Sequence, residues 1–151
     1  LKKTTTKTTK RSCFLINNIN TYNSKYTFKI VIEYTLIETF NDAGKISIDL
    51  YKKGLKIEIK EDKSPVSNGD LKVNELITNK IKTITPNLPI VSEETVDLKI
   101  KNTAKIFWLI DPIDGTKEYI AGKDEYTLNA ALVINTIPVL GLVGVPKKNI
   151  L

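Results

Sequence analysis

Apolar positions along the chain recur with two different periods, and together they outline a mixed fold. Residues 30–53 carry Ile32, Leu36, Phe40, Ala43 and then Ile46 or Leu50 at three- and four-residue intervals. That is the spacing of one helix face, and Gly54 stands where such a helix would end. The next stretch, LKIEIKED, alternates Leu55, Ile57 and Ile59 with Lys56, Glu58 and Lys60, which predicts a half-exposed strand. In SPVSNGD, Ser67 is followed three positions later by Asp70, a capping box. Val73, Leu76, Ile77, Ile81 and Ile84 then hold helical spacing until Pro86 ends the run. Residues 88–91 predict a short strand that leads into Ser92, Glu93 and Glu94, and residues 95–104 a polar loop. Residues 106–110 are apolar throughout, the composition of a strand buried on both faces. One helical turn is predicted at 117–121. Residues 128–134 and 139–145 predict an antiparallel hairpin, joined through Asn135, Thr136, Ile137 and Pro138. Helices and strands mixed in this way, with no internal repeat, make an α+β fold.

Composition narrows the chemistry. The 151 residues are 41% hydrophobic, enough for one domain with a core, and no apolar run reaches bilayer length. There is no histidine, which removes Ser-His-Asp triads and histidine-held metals. The single cysteine, Cys13, leaves neither a disulfide framework nor a Cys-rich zinc site, so a reducing, cytoplasmic setting is expected. No arginine follows Cys13, which rules out a cysteine-phosphatase loop, and no Gly-rich GK[ST] loop is present. Catalysis therefore has to rest on Asp, Glu, Lys, Tyr, Thr or Ser together with a borrowed metal.

The net charge of +6 is unevenly placed. Residues 1–32 hold no acid and seven bases: Lys2, Lys3, Lys7, Lys10, Arg11, Lys25 and Lys29. Subtracting those seven from 23 leaves 16 bases against 17 acids, so the body of the protein is close to neutral. Residues 1–29, rich in Thr, Lys, Asn and Ser, are expected to be a disordered basic tail. A transit-like peptide and translation from outside the true reading frame are the competing explanations. The chain contains no methionine, and PKKNIL at 146–151 closes no element, so a fragment or a processed form is expected.

Three acids follow apolar strands. Glu93 comes after LPIV, and Asp111 and Asp114 come after IFWLI. Carboxylates that converge at strand ends repel one another unless a cation lies between them, and hard oxygen donors favour magnesium, manganese or calcium. Pro112 would stiffen the turn, and Gly115 would let the backbone approach a ligand. The following helical turn would offer N–H groups to an anion. A metal beside an anion hole suits phosphoryl hydrolysis. Taken singly, each feature has a plainer reading: Asp-Pro-x-Asp-Gly as a turn, Glu93-Glu94 as a surface pair, and Asp70 as an acid facing a helix dipole.

In combination, IFWLIDPIDGTKEYI, PNLPIVSEE, DKSPVSNGD and ALVINTIPVLGLVGVP resemble, in that order, the motifs of the inositol monophosphatase superfamily. The resemblance covers roughly residues 41–146 and leaves the first 30 or so uncovered. It implies the N-terminal portion of a layered αβαβα sandwich with a largely antiparallel sheet. It also implies a magnesium-dependent, lithium-sensitive phosphatase with two or three ions per complete site, manganese substituting. Glu93, Asp111 and the carbonyl of Ile113 would hold the first ion, and Asp111 and Asp114 the second. Gly115 and Thr116 would bind phosphate through their N–H groups. Asp70 would pair with the Thr116 hydroxyl and, with Glu93, orient and deprotonate the attacking water. After Asp-Gly-Thr, Lys117-Glu118-Tyr119 is similar to the 3'(2'),5'-bisphosphate nucleotidase branch, which acts on adenosine 3',5'-bisphosphate, a by-product of sulfate activation. An inositol or other sugar-phosphate phosphatase is the alternative, and a non-catalytic metal- or phosphate-binding remnant is the alternative of another class. The expected partner is a small phosphorylated molecule rather than nucleic acid, with a homodimer compatible. Gly69 stands where the family has alanine, a mild change at the helix start. The family's later Trp-Asp motif has no counterpart, since the only tryptophan is Trp108.

Overall fold

The computed structural model describes residues 24–95 and 104–151. The chain divides into two compact units, Leu1–Tyr34 and Thr35–Leu151. Helix α1 (Ser24–Lys53) crosses that boundary and begins at Ser24 rather than at residue 30. Residues 24–29 of the expected tail are therefore helical, and the rest of the tail lies outside the described residues. In the first unit the described part is the opening of α1, where Tyr34 is exposed.

The second unit holds the fold that positions the site. Strands β1 (Ile57–Ile59) and β2 (Pro65–Ser67) form an antiparallel hairpin. Helix α2 (Asn68–Ile84), strand β3 (Ile90–Ser92) and a 3-10 turn (Glu93–Thr95) follow. Strand β4 (Ile106–Asp114), helix α3 (Thr116–Ile120), and strands β5 (Thr127–Ile134) and β6 (Ile137–Gly144) complete it, with a closing 3-10 turn at Pro146–Lys148. The larger sheet has the order β3-β4-β5-β6. It is mixed: β3 and β4 are parallel, and the other two pairings are antiparallel.

The expected capping box starts α2. Ser67 Oγ accepts from the Asp70 and Gly69 N–H groups, and Asp70 Oδ2 accepts from the Ser67 N–H at 2.8 Å. Val73, Ile77 and Ile81 are fully buried along α2, each worth about 1.5–3 kcal/mol. Trp108 on β4 is also fully buried, and its Nε1 donates to Thr85 Oγ1 at 3.1 Å, which fixes the end of α2 to the sheet.

Several expectations are corrected. The β1 strand is exposed at all three residues, because it pairs only with β2 in a separate two-stranded sheet, and it is β2 that buries Val66 and Ser67. Strand β4 is not buried on both sides. Trp108 and Ile110 face the core, while Ile106 and Leu109 are exposed. In α1 the buried stripe is completed by Ser47 rather than by Ile46 or Leu50. The reason lies across the core, where Tyr119 donates to the Ser47 carbonyl at 2.7 Å and Tyr126 shares a 2.8 Å hydrogen bond with Ser47 Oγ. The β5–β6 turn is tighter than expected. Asn135 and Thr136 both take positive φ, as a two-residue hairpin turn demands, and Ile137 and Pro138 join the edge strand β6.

Gly69 is not a mild replacement for alanine. A Cβ there would collide with the Tyr119 hydroxyl and come within 2.6 Å of its ring, and Tyr119 is buried against Tyr126 at 4.8 Å between centroids. The side chain cannot swing aside. Gly69→Ala should therefore lower unfolding stability by about 1–3 kcal/mol. The loss should shrink in a Tyr119→Leu background, which chemical denaturation of the four proteins in the cycle will measure.

Candidate active site

The site forms where strand ends meet helix starts. Parallel pairing aligns Ser92 with Ile110. Glu93 and Asp111 therefore each come one residue later, at the same level of neighbouring strands. Asp111 and Asp114 share β4, and their spacing of three would send them to opposite faces of a regular strand. The register shifts between them: Asp111 pairs with Asn129 and Asp114 with Thr127, so β4 carries one extra residue. This bulge leaves Pro112 and Ile113 consecutively buried and turns Asp111 and Asp114 to the same side. The segment expected to be a turn is thus a bulged strand. Proline suits it, since a bulge leaves one ladder donor unused.

Beyond the bulge, Gly115 takes φ 94°, and a Cβ there would meet the Glu125 carbonyl oxygen at 2.9 Å. It caps α3, which opens with Thr116. Thr116 Oγ1 lies 3.0 Å from Asp70 Oδ1 and 3.2 Å from the Ile113 carbonyl oxygen, with its proton shared between them. Asp70 is almost completely buried. Its charge is satisfied by the Ser67 N–H, by Ser67 Oγ at 2.5 Å and by Thr116.

Asp111 lacks that set of donors. Its Oδ1 is buried and has no hydrogen-bond partner among the described residues. Burial pushes its pKa up, and the negative charges of Glu93 and then Asp114, a hydrogen bond with Glu93, and the charge of Glu94 add to this, raising it to about 7. Glu94 is also raised, first by burial. A buried unsatisfied carboxylate among carboxylates is a costly arrangement that calls for a cause. An all-oxygen donor set of this charge fits a hard divalent cation. Among the described residues, no three acids converge on one point as the side chains stand. Glu93 is instead drawn towards Lys60, whose Nζ lies 3.4 Å away.

The structure therefore brings Asp70 to Thr116 directly, Glu93 to Asp111 through register, and Asp111 to Asp114 through the bulge. It also adds residues that the sequence did not single out. Asn129 donates to Asp114 Oδ2 at 3.3 Å, and Asn74 Oδ1 accepts from Ser92 Oγ at 2.7 Å just before Glu93. Lys60 pairs with both Glu93 and Glu94. A polar residue inside the apolar run TLNAALVI was the one local hint, for Asn129.

The described helices include none long and apolar enough to cross a membrane. The pattern of the inositol monophosphatase family matches residues 31–151. The 3'(2'),5'-bisphosphate nucleotidase CysQ of Aggregatibacter actinomycetemcomitans is 35% identical over 113 residues, 74% of this chain and 42% of that protein. The chain thus spans less than half the length of that relative. Among solved structures, CysQ from Bacteroides thetaiotaomicron is 32% identical with a TM-score of 0.57, over 77% of this chain and 42% of that one. The Thermotoga maritima inositol monophosphatase is 26% identical with a TM-score of 0.66, over 75% and 43%. With its motifs in order and its fold shared by these structures, the chain belongs, from residue 31 to residue 151, to the inositol monophosphatase family.

Proposed function

We propose that this chain is the metal-binding part of a magnesium-dependent phosphomonoesterase that removes the 3'-phosphate from adenosine 3',5'-bisphosphate. The observation that carries the reading is the buried, unpartnered Asp111 Oδ1 beside Glu93 and Asp114. Glu93, Asp111, the Ile113 carbonyl and Asp114 would hold the magnesium ions, with manganese able to replace them. When bound, the ions activate water and offset the charge that develops on the phosphoryl group. The N–H groups of Gly115 and Thr116 would receive phosphate oxygens at the start of α3. Glu93 would orient the attacking water. Its proton would pass through Thr116 Oγ1 to Asp70 Oδ1, along the 3.0 Å hydrogen bond between them. The identity to CysQ proteins supports the nucleotide substrate over an inositol phosphate. A cytoplasmic setting goes with this reading. The absence of three converging acids among the described residues favours a second reading, a phosphate-binding module without catalysis.

Calorimetric titration separates the two readings. Magnesium should bind the chain, and Asp111→Asn should weaken binding by roughly tenfold or more, more than Asp114→Asn does, because Asp111 contributes to both ions. Unchanged affinity in Asp111→Asn would remove the proposed site.

Stability of the metal-free protein should follow Asp111 with pH. Its folded pKa of about 7 lies above the ordinary 3.8, so folding favours the protonated form. That stability is complete below pH 3.8, declines as pH rises towards 7, and levels off above. Denaturation midpoints measured between pH 4 and 8 should show the decline in the wild type and a flatter profile in Asp111→Asn.

Substrate preference gives a third test. Joined to the C-terminal portion of a CysQ relative, the chain should release phosphate from adenosine 3',5'-bisphosphate faster than from inositol 1-phosphate, with magnesium required and lithium inhibiting. The reverse preference would overturn the nucleotide assignment.

A further inference from the structure

Lys60 ends strand β1, and the turn after it is held from several sides. Its N–H donates to the Ser64 carbonyl and its carbonyl accepts from Lys63, both at 2.9 Å. Asp62 Oδ1 accepts from the Ser64 N–H and Ser64 Oγ, and Lys63 takes φ 68°. A turn with this many internal bonds presents its lysine from a defined place. The ammonium reaches Glu94 Oε1 at 3.0 Å and Glu93 Oε1 at 3.4 Å. The Glu94 pair is not an exposed surface pair of small energetic weight, whereas the Glu93 side chain is 48% exposed and the more readily released of the two. The Glu94 side chain is 4% exposed and that of Lys60 is 25% exposed.

We propose that Lys60 is a built-in counter-cation that occupies Glu93 and Glu94 before metal arrives and gives up Glu93 to the incoming divalent ion. The inference rests on the metal-site reading above, and concerns a residue outside the ligand set. Four acids share one region, since Glu93 and Glu94 open the 3-10 turn after β3, and the register and bulge of β4 set Asp111 and Asp114 beside it. Lys60 is the cation paired with two of them among the described residues. An ammonium engaged by Glu93 takes a carboxylate that the metal needs, and it repels a second cation brought nearby. The hairpin therefore tunes metal affinity downwards while it keeps the apo site from self-repulsion. Glu94, the more buried partner, retains Lys60 when Glu93 leaves it.

The test is magnesium affinity by calorimetry, without substrate, for the wild type, Lys60→Gln and Lys60→Arg. Removing one positive charge from beside a carboxylate that would hold a divalent ion, in a largely aqueous dielectric, should tighten binding roughly tenfold. Lys60→Gln should show that gain, and Lys60→Arg should keep wild-type affinity. Equal or weaker binding by a folded Lys60→Gln, with wild-type binding intact, overturns the role of Lys60 alone. Absence of binding in every protein overturns the metal-site reading and this inference with it. A second measurement needs no variant. Amine labelling of the wild type, read by mass spectrometry, should increase at Lys60 when magnesium is added and stay constant at the exposed Lys53. Unchanged or reduced Lys60 labelling in magnesium-bound protein counts against displacement.

Discussion

One extra residue in strand β4 governs the site. Side chains alternate along a strand, so acids three positions apart face opposite ways unless the alternation is broken. The bulge between Asp111 and Asp114 breaks it. Its consequences run in both directions along the chain. Before it, Trp108 and Ile110 are buried, which leaves Asp111 level with Glu93, the first residue after the neighbouring parallel strand. After it, Ile113 is buried, Asp114 swings to the side of Asp111, and Gly115 makes the left-handed step that starts α3. Without that bulge the hydrophobic demands of β4 would separate the two carboxylates.

The second support is the start of α2. Asp70 closes the capping box with Ser67 and also accepts from Thr116, so one buried carboxylate stabilises a helix end and joins it to the start of α3. Such burial is tolerable because each charged oxygen has a donor. Tyr119 reinforces the same junction by filling the space that Gly69 leaves open and by bonding to the Ser47 carbonyl. Glycine at position 69 is therefore a packing requirement.

Asp70 and Asp111 form an instructive contrast. Both are carboxylates at the junction of sheet and helices. The first is fully hydrogen-bonded, whereas the second has a bare buried oxygen and three acidic neighbours. Hydrogen-bond donors surround the Asp70 carboxylate and are missing at Asp111 Oδ1, the contrast on which the proposed metal site rests. Lys60 supplies a positive charge to the same region from a separate hairpin.

The sequence by itself determined the elements whose causes lie within a few residues. The periodic stripes, the Ser67–Asp70 capping box and the acids at strand ends were all legible, because helix faces, caps and strand breaks act over about four residues. The ordered motifs also identified the family and the acids to watch. Only the tertiary structure decided which face each acid occupies. The bulge arises from pairing with β5, and no local rule distinguishes it from the turn that Asp-Pro-x-Asp-Gly suggests. Ser47 in place of Ile46 or Leu50 depends on a tyrosine 72 residues away, and Asp70 meets Thr116 across 46. Lys60, which looked like the polar side of a simple strand, meets Glu93 across 33 residues. Contacts of that span depend on the register of the sheet and the packing of the hairpin, which the period of a single segment does not encode.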